Sequence, residues 1–207
     1  MRFGVLTSPA DAAAGGCEAI AALAQLCEGQ GIDLLWLTGS TVPAAVWAAA
    51  VAGRCRDIFV AVEFTNIDNP VDVAEEISVL DHLLGGRLVA VLDPPATRAA
   101  VRAALRRVLP PPSQLVVPLW TRQDASVDAD GLRVAIRELA DNSTVDALAA
   151  ELARDAPDVC VFPLPPERAG AAVRVISREL RPRVYEPDAP PELADLWRVP
   201  EEGMPDR

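Results

Sequence analysis

Short apolar runs alternate with longer stretches of helical periodicity along the first half of the chain. The apolar runs have the length and continuity of strands that are buried on both faces: residues 2–7, 32–38, 57–64 and 87–92. The stretches between them carry apolar side chains at helical spacing: residues 11–28, 43–53, 70–84 and 95–109. Strands that alternate with helices in this way predict parallel pairing through right-handed crossovers.

The second half repeats the alternation less regularly. Residues 115–120 are predicted to form a fifth strand, and the polar residues 121–131 a loop. Residues 132–139 fit either a sixth strand or a short helix, and a helix, a strand and a last helix follow over 144–154, 158–164 and 166–180. The pattern gives at most seven strands and allows either a barrel or an open sheet. We expect one barrel-sized domain over residues 1–184 and an acidic, proline-rich tail over 185–207.

Composition excludes several classes of partner. The chain has 207 residues with 30 acidic and 19 basic side chains, which gives a formal net charge of −11. Sequence-independent nucleic-acid binding requires a basic surface, and an anionic membrane surface repels a chain of this charge. No apolar run reaches the roughly 18 residues of a membrane span. The N-terminus predicts a strand followed by a turn rather than a signal peptide, so we expect a soluble cytoplasmic protein.

The inventory of reactive side chains is short. All 19 basic residues are arginines, which excludes Schiff-base lysines and a P-loop. His82 is the sole histidine, and the four cysteines lack the spacing of a metal site. Three cysteines lie in apolar stretches and are predicted to be structural, whereas Cys55 lies between Arg54 and Arg56, which would favour its thiolate. We expect no metal.

The stretch over residues 69–88, NPVDVAEEISVLDHLLGGRL, is the most distinctive in the sequence. It resembles the bacterial luciferase-like flavin monooxygenases, in which an HP or NP step, a VAEE helix, LDHLS and GGR follow one another. The positions that match are Pro70, Val73, Ala74, Glu75, Leu80, Asp81, His82, Gly86 and Arg87. Weaker similarity extends over residues 2–92, and a fainter one over 114–184.

The resemblance implies a fold and a cofactor. Family members are α/β proteins with a TIM-type (β/α) barrel, and they bind FMN or a deazaflavin at the carboxyl ends of the strands. Most members are much longer than 207 residues. We therefore expect a barrel reduced to about seven strands, similar in architecture to the non-fluorescent flavoprotein, a small relative.

The same resemblance suggests where a cofactor would bind. Many members carry a polar, often histidine-containing pair after the second strand, and Gly39 and Ser40 stand there in this chain. The predicted cofactor-binding residues follow the second, third and fifth strands: Thr38, Ser40, Glu63, Thr121 and Arg122. We assign no catalytic residue, because neither Gly39 nor Ser40 can act as a base near neutral pH.

Three functions stay open at this stage. The chain could be a luciferase-like flavin-dependent monooxygenase or oxidoreductase, or a subunit of one. It could be the non-catalytic partner in a heterodimeric luciferase-like enzyme, with no cofactor of its own. It could also bind flavin without turnover.

We expect a dimer, either with a second copy or with a longer luciferase-like subunit. The resemblance implies contact through the second and third helices. The second helix is rich in alanine at positions 44, 45, 48, 49, 50 and 52, and the third carries an apolar stripe, Val73, Ile77, Leu80 and Leu84, which taken alone could equally pack on the barrel's own strands.

Overall fold

The fold is taken from a computed structural model that describes residues 1–8, 16–38, 44–65, 67–113, 117–123, 126–129, 131–139 and 145–184. The strands are β1 (Arg2–Thr7), β2 (Leu34–Leu37), β3 (Phe59–Phe64), β4 (Leu88–Leu92), β5 (Leu119–Gln123), β6 (Ser126–Ala129), β7 (Leu132–Ile136) and β8 (Val159–Pro163). The helices are α1 (Gly16–Gly29), α2 (Ala44–Ala52), α3 (Pro70–Leu83), α4 (Arg98–Leu105), α5 (Val145–Asp155), α6 (Pro166–Val175) and α7 (Arg181–Val184). A 3₁₀ turn, Pro95–Thr97, precedes α4, and a π-helical stretch, Ile176–Leu180, joins α6 to α7.

The eight strands form a closed barrel in sequence order. Seven of them run parallel, and β6 is antiparallel to both of its neighbours. The predicted TIM-type α/β barrel is therefore confirmed, and an open sheet is excluded. The tail predicted over residues 185–207 lies outside the described residues.

The strand count and the predicted loop need correction. The barrel has eight strands instead of about seven, because residues 121–131, predicted as a loop, contain the end of β5 and all of β6. In β6, Val127 packs with the barrel interior, while the side chain of Asp128 on the other face is 67% exposed. A strand whose outer face is solvated carries polar residues, and this polarity concealed it.

Two apolar layers hold the barrel together. Inward-facing side chains of the strands form the inner layer, and it is centred on Trp36 and Trp120, whose rings meet edge-to-face with centroids 5.9 Å apart. Outward-facing strand residues pack against the helices in the larger outer layer, which includes Phe3 and Phe162. Within the described residues, no helix is long and apolar enough to cross a membrane.

Helix α3 follows its sequence signals closely. Asn69 caps its start, since the side-chain oxygen accepts the backbone N–H of Val71 at 3.0 Å. Gly85 and Gly86 end it with φ of 61° and 78°, a conformation that glycine adopts without steric cost.

The apolar stripe predicted as a partner surface on α3 instead packs against the barrel. Ile77, Leu80 and Leu84 are all buried in the outer core layer, and Val73 packs against it. On α2, Ala48 is also fully buried. The stripe therefore stabilises the chain's own fold, as an amphipathic helix normally does.

A proline-rich segment, residues 108–113, is fastened along the second half of α3; we call it the strap. The Ser78 hydroxyl donates to the Pro110 carbonyl at 2.5 Å, and the Ser113 hydroxyl donates to Asp81 Oδ2 at 2.6 Å. His82 Nε2 lies 2.8 Å from the Pro111 carbonyl oxygen. Asp81 and His82, which belong to the distinctive stretch over residues 69–88, thus hold the strap in place.

Glu28 and Arg87 clamp the segment that leads into β3. Glu28 Oε1 accepts the backbone N–H groups of Arg56, Asp57 and Ile58 at 2.7, 2.6 and 3.1 Å. The Arg87 guanidinium donates to the carbonyls of Ile58 and Cys55, both at 3.0 Å. Arg87 therefore has the structural role expected of a charged group at the amino-terminal face of a barrel.

Candidate functional site at the barrel mouth

The carboxyl ends of the parallel strands define one face of the barrel, which we call the mouth. Barrel enzymes carry their reactive groups at this face. Alternation along each strand turns Thr38, Glu63 and Arg122 toward the barrel axis, because each stands two residues after an inward-facing core residue. The structure therefore places three of the five predicted site residues at the mouth.

Glu63 and Arg122 form an ion pair across the mouth. Arg122 Nη1 lies 3.5 Å from Glu63 Oε1, and the two side chains are 32% and 9% exposed. The Arg122 guanidinium carbon lies 5.8 Å from the ring centroid of Trp36, within the range of a cation–π contact. The pair thus covers the tryptophan layer below it.

Thr38 lies on the rim beside the first strand. Its backbone N–H donates to the Thr7 carbonyl at 3.1 Å, and its hydroxyl lies 3.4 Å from the same oxygen. Both groups therefore point to β1 and extend the β1–β2 pairing by one residue.

Trp36 brings an unsatisfied donor to the same region. The residue is fully buried, and its indole N–H has no hydrogen-bond partner within the part of the chain that the structure describes. Buried donors are nearly always paired, so this one lowers stability or awaits an acceptor.

The remaining two predicted residues do not join this group. Thr121 has the opposite strand parity from Arg122 and lies buried on the outer side of β5. Ser40 lies outside the described residues. A cofactor-binding role for Thr38, Glu63 and Arg122 stays a prediction.

Sequence reasoning missed how these residues combine. β4 separates β3 from β5 in the barrel, so nothing local in the sequence pairs Glu63 with Arg122. Strand parity could have shown part of this arrangement. Arg122 stands two residues after Trp120 and Thr38 two residues after Trp36, so each faces the same side of its strand as the tryptophan.

The histidine and the three buried cysteines supply no reactive group at the mouth. His82 stands in the last turn of α3, near the start of β4, and hence at the opposite face. Burial raises the pKa of the Cys27 and Cys160 thiols to about 12 and that of Cys55 to about 11, so the arginines that flank Cys55 in sequence do not make it a thiolate near neutral pH. Among the described residues, no group of three His, Cys, Asp or Glu side chains could hold a metal ion.

The described donor set does not fit a flavin phosphate. Such a dianion needs cationic and N–H donors, yet the Arg122 guanidinium faces Glu63, whose carboxylate would repel the phosphate. The Thr38 hydroxyl is directed to a backbone carbonyl. Below them, the rings of Trp36 and Trp120 meet edge-to-face in the barrel interior. We therefore derive no chemical step through a flavin.

Comparison with known proteins points to one family. Residues 1–92 match the family model described as luciferase-like monooxygenase. A search of curated protein sequences gives no significant match.

Several solved structures are similar in fold. A monooxygenase from Streptomyces bottropensis is 18% identical over 89% of this chain and 66% of its own, with a TM-score of 0.45. The FMN-bound oxygenating constituent of 3,6-diketocamphane monooxygenase from Pseudomonas putida is 12% identical over 91% and 64%, with a TM-score of 0.43. The coenzyme F420-dependent tetrahydromethanopterin reductase from Methanopyrus kandleri is 22% identical over 44% and 26%, with a TM-score of 0.40.

The chain spans between about a quarter and two thirds of the length of these three proteins. Their TM-scores all lie below 0.5, so the likeness to the luciferase-like monooxygenases rests on the sequence match, which covers β1 to β4. That region contains the capped helix α3 and the GGR step described above. Over residues 1–92, the chain is therefore similar to the luciferase-like monooxygenases.

Proposed function

We propose that this chain is a non-catalytic barrel subunit of a luciferase-like flavin-dependent monooxygenase. The observation that carries the proposal is the Glu63–Arg122 pair over the tryptophan layer. Within the described part of the chain, the two charges that we place inside the mouth pair with each other and lie over the tryptophan layer. A mouth built in this way stabilises the fold instead of presenting a reactive group.

The distribution of acid–base groups supports the same proposal. The sequence has one histidine and no lysine, and that histidine fastens the strap at the opposite face. Among the residues that the structure describes, Glu63 is the one carboxylate that we place inside the mouth, and it is paired with the Arg122 guanidinium.

The proposed partner is a longer luciferase-like subunit that contacts α2 and α3. Support comes from three large apolar side chains on the outer faces of these neighbouring helices. Val46 is 50% exposed, and Val79 and Leu83 are each 53% exposed. Exposed apolar side chains that cluster on adjacent elements are typical of protein interfaces.

Co-expression with the longer luciferase-like chain of the same genome tests this proposal. We expect the two chains to copurify, and the complex to oxidise reduced FMN or reduced deazaflavin faster than the longer chain alone. A matched complex that carries Arg122→Met should keep this activity, since Arg122 would have no part in the chemistry. Turnover of reduced flavin by this chain alone would refute the proposal.

Flavin binding without turnover is the second candidate. The buried Trp36 N–H and the guanidinium above its ring would supply two donors if Arg122 exchanged Glu63 for a phosphate. This candidate predicts that Glu63→Gln strengthens FMN binding, whereas a purely structural pair predicts no binding in either form.

A further inference from the structure

An apolar groove of about 590 Å³ lies on the outside of the barrel between α3 and α4. Its lining includes small and apolar side chains of both helices: Val71, Ala100, Ala103 and Ala104. Val71 at its edge is 52% exposed, so within the described chain the groove is open to solvent. A cleft of roughly 300–1,000 Å³ has the size that takes up a small molecule or a few anchoring side chains.

The α4 side of the groove belongs to a basic stretch of an acidic chain. Residues 94–123 contain five arginines and no acidic residue, although the whole chain has a net charge of −11. Arg98, Arg102 and Arg106 stand at i, i+4 spacing, where like charges on a helix repel one another. Burial lowers the pKa of Arg102, and the neighbouring Arg98 and Arg106 lower it further. Asp128, which pairs with Arg98, offsets part of this repulsion, and an anionic segment beside α4 would offset more of it.

The C-terminal segment of the sequence has the complementary charge. Residues 185–207, which lie outside the described structure, contain seven acidic side chains and two arginines. Within them, residues 191–199, PELADLWRV, begin with a proline and a glutamate and are followed by Pro200, the signals of a helix start and a helix end. The i, i+3 and i+4 spacing of anchors that a helix inserts into a groove is filled by apolar residues: Leu193, Leu196 and Trp197. The pattern therefore predicts a short amphipathic helix over 191–199.

The charged residues of this predicted helix suit the two walls of the groove. With about 100° between successive residues, Glu192 lies on one side of the apolar face and Arg198 on the other. One wall is the arginine-rich α4, whose end contributes Arg107, and the α3 wall contributes Glu75. A helix lying along the groove can therefore direct its acidic side to α4 and its arginine to α3.

The segment also starts at the face of the barrel to which the groove extends. The Arg181 guanidinium of α7 donates to the carbonyl of Gly31, which precedes β2, so the end of α7 lies at the amino-terminal face. Val108, at the end of the groove, begins the strap, which His82 fastens at the same face. At about 3.1 Å per residue for the proline-rich spacer 185–190 and about 1.5 Å for the helix, the segment reaches roughly 30 Å, which suits a path across this face.

We propose that residues 191–199 of this chain bind the groove between α3 and α4, with the three apolar anchors against its alanine-lined floor. A segment that is tethered to its own site has a high effective concentration there, so a small contact is sufficient to hold it. The proposed contact leaves Val79 and Leu83, on the outer faces of α2 and α3, available to a partner. The inference therefore does not rest on the proposed function.

Photo-cross-linking of the purified full chain tests which segment occupies the groove. The exposed Ala103 is replaced by the photoreactive p-benzoylphenylalanine, and the cross-linked peptides are identified by mass spectrometry. We expect the main product to join position 103 to residues 193–199 in a species that migrates as a single chain. The same replacement at Ala49, an exposed alanine of α2, is the matched control and should give this product in about 10-fold lower yield.

Limited digestion with trypsin, which cleaves after Arg198, tests the same contact without a photoreactive group. We expect Ala103→Asp to raise the rate of this cleavage about 10-fold, because a charge in the apolar groove disfavours binding of the segment, and Ala49→Asp to leave the rate within about two-fold of wild type.

Three results would overturn the proposal. The first is a cross-link from position 103 to a second chain, which would show that another copy fills the groove. The second is the absence of any cross-link to residues 193–199. The third is an equal rate of cleavage after Arg198 in wild type and in Ala103→Asp.

Discussion

Replacing Arg122 by methionine is the sharpest test of the pair that covers the barrel mouth. Methionine keeps much of the unbranched apolar stem and removes the guanidinium. The Glu63 side chain is only 9% exposed, so its carboxylate would lose the cation opposite it in a nearly dry site. We expect the free energy of unfolding to fall.

The size of this loss follows from the burial of each partner. Removing one member of a fully buried pair costs about 3–5 kcal/mol, but Arg122 keeps 32% exposure, so we reduce this to about 2 kcal/mol. Loss of the cation–π contact with Trp36 adds about 0.5–1 kcal/mol. The sum of about 3 kcal/mol corresponds to a fall in Tm of about 6–12 °C for a chain of this size.

A double-mutant cycle separates the pair from its surroundings. Glu63→Gln should cost about 1 kcal/mol, because water can reach the partly exposed guanidinium that remains. The double variant should also cost about 1 kcal/mol, since neither charge is then left in the mouth. Urea unfolding followed by tryptophan fluorescence gives all three values, and a coupling energy below about 0.5 kcal/mol would refute the role that we assign to the pair.

Three further results are expected. Glu28→Gln should lower the free energy of unfolding by about 2 kcal/mol near neutral pH, since Glu28 accepts three backbone N–H groups. These hydrogen bonds hold the pKa of Glu28 below its usual 4.5. The stabilisation is therefore present above pH 4.5 and is lost as the pH falls through the lowered pKa. If the difference in urea midpoint between wild type and variant stays constant in acid, this explanation is wrong. Ser113→Ala should cost about 1 kcal/mol and increase amide hydrogen exchange across the strap, and unchanged exchange there would show that the bond to Asp81 does not hold it. Val79→Arg should abolish copurification with the longer subunit while Tm stays within about 2 °C, because the side chain is half exposed; retained copurification would exclude this face.

Local signals explain which parts of the fold could be predicted. Helix α3 begins at Asn69–Pro70 and ends at Gly85–Gly86, and each signal acts through backbone geometry within a few residues. Strand β6 was missed because its outer face carries the exposed side chain of Asp128, whereas β7 lies where the sequence allowed either a strand or a short helix. Polar residues indicate exposure to solvent. Because a solvent-exposed strand and a loop are both polar, polarity alone does not distinguish them.

On a helix that is apolar on every side, the sequence does not show which residues are buried. In α2, Ala48 is buried and Ala49 is exposed, yet the two residues are identical. The sequence also placed Glu63 and Arg122 at strand ends without pairing them, because that contact depends on how the barrel closes over the intervening β4. Contacts between strands that are not neighbours are properties of the closed barrel.

Titration of the purified full chain with FMN, followed by isothermal calorimetry, tests the central claim most directly. The claim is that the mouth of this barrel is closed by its own side chains. We predict no saturable binding at FMN concentrations up to about 1 mM, which corresponds to a binding free energy weaker than about −4 kcal/mol. A Kd at or below about 10 μM, lost in Arg122→Met, would show that Arg122 holds the phosphate and would contradict the account.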